Sequence, residues 1–131
     1  MAAIESGRTA VFGPVAETPA AARRFLRLEL EKLAVPEPPL EAAVLLANEL
    51  VSNAVLHART VMELRLFTAD DLVRVEVHDG NTRRPTTAAA PIDATSGRGL
   101  LLVQAIADRW GVEGTRDGKV IWFELPIVRF A

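Results

Sequence analysis

The chain has 131 residues, half of them hydrophobic, with 15 Lys and Arg against 17 Asp and Glu, a formal charge of −2, two histidines and no cysteine. That length buries one good core and hardly two, so a single domain over residues 1–131 is expected. The balance of charge gives no basic footprint for nucleic acid, and the lack of cysteine excludes disulfides, thiolate nucleophiles and Cys-built zinc sites.

His57 and His78 are too few for a histidine metal cluster. The N-terminal MAAIESGRTAVFG lacks a basic region followed by an apolar core, and no apolar run reaches the roughly 18 residues of a spanning helix. A soluble, cytoplasmic protein with no membrane partner is expected, disordered up to about Gly7. Thr9 to Val15 is a short β-prone run ended by Gly13-Pro14, which predicts an edge strand. Thr18-Pro19 supplies an N-cap and a proline at the first helical position, and Phe25, Leu26, Leu30 and Leu33 carry a helix from Pro19 to Leu33. Its charged face, Arg23, Arg24, Arg27, Glu29, Glu31 and Lys32, reads as solvated, with a partner surface as the alternative. Val35-Pro36-Glu37-Pro38-Pro39 then stops the helix.

Glu41 to Ala58, EAAVLLANELVSNAVLHA, predicts the central helix, uninterrupted by Gly or Pro. Val44, Ala47, Val51, Ala54 and Ala58 fall on one side, a stripe suited to packing on a sheet. The other side carries Glu49 and Asn53 one turn apart, with Leu45, Leu46 and Leu56 beside them and Ser52 and His57 at the margins. No basic residue occurs between Lys32 and Arg59, and leucines interrupt the polar stripe, so this face reads as a cavity wall. There a carboxylate and an amide oxygen would meet a ligand or a hard cation.

Thr60 to Thr68 and Leu72 to His78 form a hairpin through Ala69-Asp70-Asp71, with Val73, Val75 and Val77 alternating against Arg74, Glu76 and His78. Asp79-Gly80-Asn81 is a turn that leaves a carboxylate at a sheet end. Thr82 to Ser96 has no periodicity and predicts a lid or binding loop, or else plain disorder. Gly97-Arg98-Gly99-Leu100 then opens a helix ending at Gly111, and glycines at a helix start form a cradle suited to phosphate. Gly111 to Arg116 and Val120 to Val128 make a second hairpin through Asp117-Gly118, with Trp110 and Trp122 as core or rim aromatics. The order predicts an α+β two-layer sandwich, three helices on one face of a mixed, mostly antiparallel sheet.

Glu49-Leu-Val-Ser-Asn53, then Asp79-Gly80 at a strand end, then Gly97-Arg98-Gly99-Leu100 opening a helix, resemble in order and spacing the Bergerat-type ATP-binding domain of gyrase-type topoisomerases, histidine kinases and mismatch-repair ATPases. The compact form is similar to the anti-sigma-factor serine/threonine kinases, and the resemblance covers about Thr18 to Leu125. It implies ATP and Mg²⁺ as cofactors. Asn53 would ligate the Mg²⁺, Asp79 with Gly80 would take the adenine amino group, Gly97, Arg98, Gly99 and Leu100 would line the phosphates, and Glu49 would be the general base. Three positions depart from the family pattern: Gly80 follows Asp79 directly, Leu56 stands where a basic residue is common, and Gly118-Lys119-Val120 lacks the common threonine.

Three functions compete at this point. A kinase of the anti-sigma type would phosphorylate a small antagonist protein and sequester a sigma factor; retention of Glu49 favours it. A non-catalytic module would use nucleotide only to switch partners. The catalytic domain of a two-component kinase is disfavoured, because only 17 residues precede the first helix. The oligomeric state stays open, a homodimer among the alternatives.

Overall fold

The computed structural model describes residues 6–81 and 94–128. In chain order it contains β1 (Ser6–Phe12), α1 (Thr18–Lys32), α2 (Pro39–Asn53) continued by a π-helical turn (Ala54–Ala58), β2 (Met62–Thr68), β3 (Leu72–Asp79), α3 (Ala94–Ile106), β4 (Arg109–Gly114) and β5 (Lys119–Pro126). The strands form a sheet in the order β1-β2-β3-β5-β4, and every neighbouring pair is antiparallel. With three helices against this sheet, the two-layer α+β architecture is as expected.

Strict alternation sets the sheet's two faces. Met62, Leu64 and Leu66 of β2, Val73, Val75 and Val77 of β3, and Ile121, Phe123 and Leu125 of β5 are buried toward the helices. Against them α2 lays Ala43, Val44, Leu46, Ala47, Leu50 and Val51, and α1 adds Ala22, Leu26 and Leu30. From Pro39 to Ala58 the helical run is 20 residues, long and apolar enough by length and composition to cross a membrane. This corrects the expectation that no such run exists. Here its apolar side is the core's central surface.

Several local expectations shift. β1 starts at Ser6, so Ser6 and Gly7 belong to a strand, and Phe12 meets Phe25 of α1 edge-on with ring centroids 6.4 Å apart. Thr18 is not the cap of α1. Glu17 holds that position without a side-chain bond, while Thr18 Oγ1 donates to the Gly13 carbonyl at 2.5 Å. Glu29 leaves the solvated face, because edge strand β1 brings Arg8 Nε within 2.9 Å of its carboxylate and Lys32 Nζ reaches it at 3.2 Å. The helix expected to run to Gly111 ends at Ile106, since cross-strand pairing of Trp110 with Phe123 and of Gly111 with Trp122 draws residues from Arg109 onward into the sheet. Gly111 lies so close to the Trp122 ring that an added Cβ would sit 2.7 Å from Nε1. The segment expected as a lid, residues 82–96, falls outside the described residues except for 94–96, which are helical.

The sheet's outer face carries charge in pairs. Arg74 donates to Glu76 at 2.7 Å and to Glu124 at 2.9 Å, and its guanidinium carbon lies 4.0 Å from the Trp122 ring centroid. His78 Nε2 is 2.7 Å from the other Glu76 oxygen, and Arg65 stands opposite Glu76 on β2. Burial opposes ionisation of Glu76, but hydrogen bonds from His78 and Arg74 outweigh it and hold the carboxyl below its ordinary value of 4.5. A depressed carboxyl contributes stability that is present above the ordinary value and is lost as pH falls through the folded one. Glu76→Gln should therefore melt roughly 2–5 °C below the parent at pH 7, and the gap should narrow at a pH well below 4.5. Thermal melts at the two pH values test this, and a gap that does not change with pH refutes it.

Candidate functional site

α2 is used on both sides. Val44, Ala47, Val51, Ala54 and Ala58 are all buried, as the stripe predicted. On the other side Glu49, Ser52 and Asn53 are half-buried, Leu45, Leu56 and His57 are exposed, and Leu46 is fully buried. Leu46 thus belongs to the core and not to the cavity wall, because its position falls one step nearer the sheet than the Glu49–Asn53 line. The Asn53 amide oxygen is sealed from solvent. No described residue hydrogen-bonds to the Glu49 carboxylate, so its oxygens remain available. An acceptor and an amide oxygen therefore stand one helical turn apart on one wall.

Directly after Asn53 the helix widens. The Arg59 N–H bonds to the Ala54 carbonyl at 3.0 Å, one residue further than an α-helix allows, and Arg59 closes the turn in the left-handed region at φ 56°. Such π-helical turns occur often at functional sites, and this one delivers Thr60 to the sheet's end. There Thr60 Oγ1 accepts from the Gly80 N–H at 2.8 Å. The C-terminal end of α2 and the end of β3 are thereby tied at one end of the domain.

Asp79 continues the inward phase of Val73, Val75 and Val77 and is buried. Its cross-strand partner is Lys119, the first residue of β5, which occupies the same inward phase as Ile121, Phe123 and Leu125. Lys119 Nζ donates to Asp79 Oδ1 at 2.9 Å, with side-chain exposures of only 9% and 3%. The Asn81 N–H donates to the same oxygen at 2.8 Å. Gly118 makes the approach of β5 possible: a Cβ there would stand 1.8 Å from the Asp79 carbonyl oxygen. Lys119 escaped the sequence reading, although its place on the buried phase of a strand is a signal that an anion must face it.

α3 begins at Ala94, three residues before Gly97. Gly97 therefore closes the first turn, and Arg98 and Gly99 lie inside the helix, which starts earlier than expected. Two glycines cost a helix about 2 kcal/mol against alanine but do not forbid it, and Leu100 and Val103, both in the core, anchor the segment. Leu100 is buried and belongs to the core cluster.

Comparison with known proteins gives the family and the fold. The histidine kinase-like ATPase domain family matches over residues 14–125, and the chain belongs to it. A solved structure of the RsbU and RsbW domains of Rv1364c from Mycobacterium tuberculosis is similar over 96% of this chain and 34% of that one, at a TM-score of 0.74 and 17% identity. The chain thus spans about a third of that neighbour, and the likeness is one of fold. No curated protein matches the sequence.

The ion pair makes a stability prediction. Breaking a buried pair by neutralising one partner typically costs about 3–5 kcal/mol, whereas replacing both partners is often neutral. Asp79→Asn should lose about that much in urea unfolding, and Asp79→Asn with Lys119→Met should recover most of it. If the single variant unfolds like the parent, the two side chains do not form a buried pair in solution.

Proposed function

We propose that this histidine kinase-like ATPase domain binds ATP with Mg²⁺ and acts as an anti-sigma-type serine/threonine kinase. Its substrate would be a small antagonist protein, and a sigma factor would be its second partner, in the cytoplasm. One observation carries this reading: Glu49 and Asn53 stand one turn apart on a half-buried wall, with the Asn53 amide oxygen enclosed and no described residue bonded to the Glu49 carboxylate. A module that only bound nucleotide would have no use for that base. The RsbW domain named in the structural neighbour and the motif resemblance support the choice of partners.

The residues fit the implied groups. Among the described residues no three His, Cys, Asp or Glu side chains cluster to cage a metal. Mg²⁺ commonly takes one or two protein oxygens and completes its shell with phosphate and water, so one asparagine oxygen is a sufficient share. When bound, ATP supplies the phosphoryl group and Mg²⁺ offsets its charge. In this reading Asn53 holds the cation, Asp79 accepts from the adenine amino group beside Gly80, and the Gly97-Arg98-Gly99 flank of α3 lies along the phosphates with Leu100 as anchor. Glu49 takes the proton of the attacking hydroxyl.

Calorimetry should show nucleotide binding that depends on Mg²⁺ and weakens in Asn53→Ala. Equal affinity with and without the cation would sink the metal assignment. Glu49→Gln keeps the shape of the side chain but not its basicity, so ATP affinity and melting temperature should hold while phosphoryl transfer to an antagonist falls by roughly 10²–10⁴-fold. A parent that binds ATP yet phosphorylates no partner would instead be a nucleotide-dependent switch.

A further inference from the structure

We infer that Lys119 reads the base of the bound nucleotide together with Asp79, donating to ring nitrogen N1 of adenine while Asp79 accepts from the 6-amino group. The inference rests on the nucleotide reading above and adds to it a residue that determines base specificity. Lys119 is 7% exposed and its ammonium has three N–H donors. One goes to Asp79 Oδ1, and no other described residue accepts from it. Donors left idle on a buried ammonium are costly, and the cost is recovered when a ligand brings acceptors.

Asp79 has the complementary surplus. Both hydrogen bonds that the described residues make to its side chain, from Lys119 Nζ and from the Asn81 N–H, fall on Oδ1. Oδ2 is left to accept. Because Asp79 and Lys119 are direct cross-strand partners on one face of the sheet, the open acceptor and the open donors lie side by side. The Watson–Crick edge of adenine is the matching pattern, an amino donor at C6 next to an acceptor at N1. Guanine in the same pose would set its C6 carbonyl against the Asp79 carboxylate and its N1–H against the ammonium, two mismatches at once. A neutral hydroxyl at position 119 could donate to the ring nitrogen as well, but without a charge to balance the buried carboxylate. Lys119 does both.

The test is calorimetry on the whole chain with ADP, 1-deaza-ADP, in which a C–H replaces N1, and purine riboside diphosphate, which lacks the amino group. The parent should bind 1-deaza-ADP about 10- to 100-fold more weakly than ADP, the range for one lost hydrogen bond to a charged donor. Lys119→Met should bind ADP and 1-deaza-ADP within about twofold of each other while still preferring both to purine riboside diphosphate, since Asp79 remains. The parent comparison stands even if Lys119→Met unfolds, which circular dichroism would reveal. Equal affinity of the parent for ADP and 1-deaza-ADP overturns the inference, as does a folded Lys119→Met that keeps the parent's preference. A parent that binds none of the three overturns the nucleotide reading itself and this inference with it.

Discussion

α2 is the constraint that everything else accommodates. It is the central helix over an antiparallel sheet, so its small and branched residues must seal that sheet along a straight stripe, and Ala47 and Val51 are completely buried in doing so. A helix committed in this way has a fixed rotation about its axis. Glu49 and Asn53 therefore cannot swing toward or away from the domain; their direction is set by the packing of the opposite side. That rigidity is what a site built on a helix needs, because catalytic geometry fails when a side chain is misplaced by about an ångström. The π-helical turn after Asn53 ends the rigid run and lets the chain drop to the sheet at Thr60, where the bond from Gly80 fixes the end of β3.

The second fixed point lies where β3 and β5 finish and start. Asp79 and Lys119 are held by register, by the bare Gly118 that lets the two backbones touch, and by their own contact. Each residue arrives there by strand alternation. Strands whose inward positions are otherwise Val, Ile, Phe and Leu put one carboxylate and one ammonium in the same buried phase, one on each strand, so that neither is buried alone.

The fold was legible wherever a period ran long enough. The stripe of α2 extends over many turns, and the alternation in Leu72–Asp79 leaves little choice of face, so the layering, the hairpins and the direction of Glu49 and Asn53 followed from spacing. What escaped the sequence reading depends on partners distant in the chain. Glu29 looks solvated until β1 brings Arg8 to it across 21 positions. Arg109-Trp110 reads as the end of a helix until β5 offers a strand to pair with. Glycines at 97 and 99 read as the start of a helix, and the turn before them has no signature until the burial of Leu100 and Val103 anchors the segment. Lys119 was visible as a residue but not as half of a pair, because its partner lies 40 positions away. The π-helical turn has no periodic signature at all over five residues.

The energetics of that pair bear on why it is there. A buried ion pair is a weak source of stability, since the desolvation of two charges consumes most of their attraction and a well-packed apolar pair of similar volume would serve as well or better. If stability were the only demand at this position, strands already rich in Val, Ile and Leu could have supplied such a pair at no loss. The charges are better accounted for by what they offer beyond each other: an ammonium with idle donors and a carboxylate with an open oxygen, at the same end of the domain as the C-terminus of α2. Glu49 follows the same logic on the helix, a carboxylate on a partly apolar wall to which no described residue hydrogen-bonds. The buried pair costs the fold something, and it is joined through Gly80 and Thr60 to the end of the helix that carries Glu49 and Asn53. In the proposed function a nucleotide engaging both points would recover that cost, which is the physical argument for proposing the two as one site.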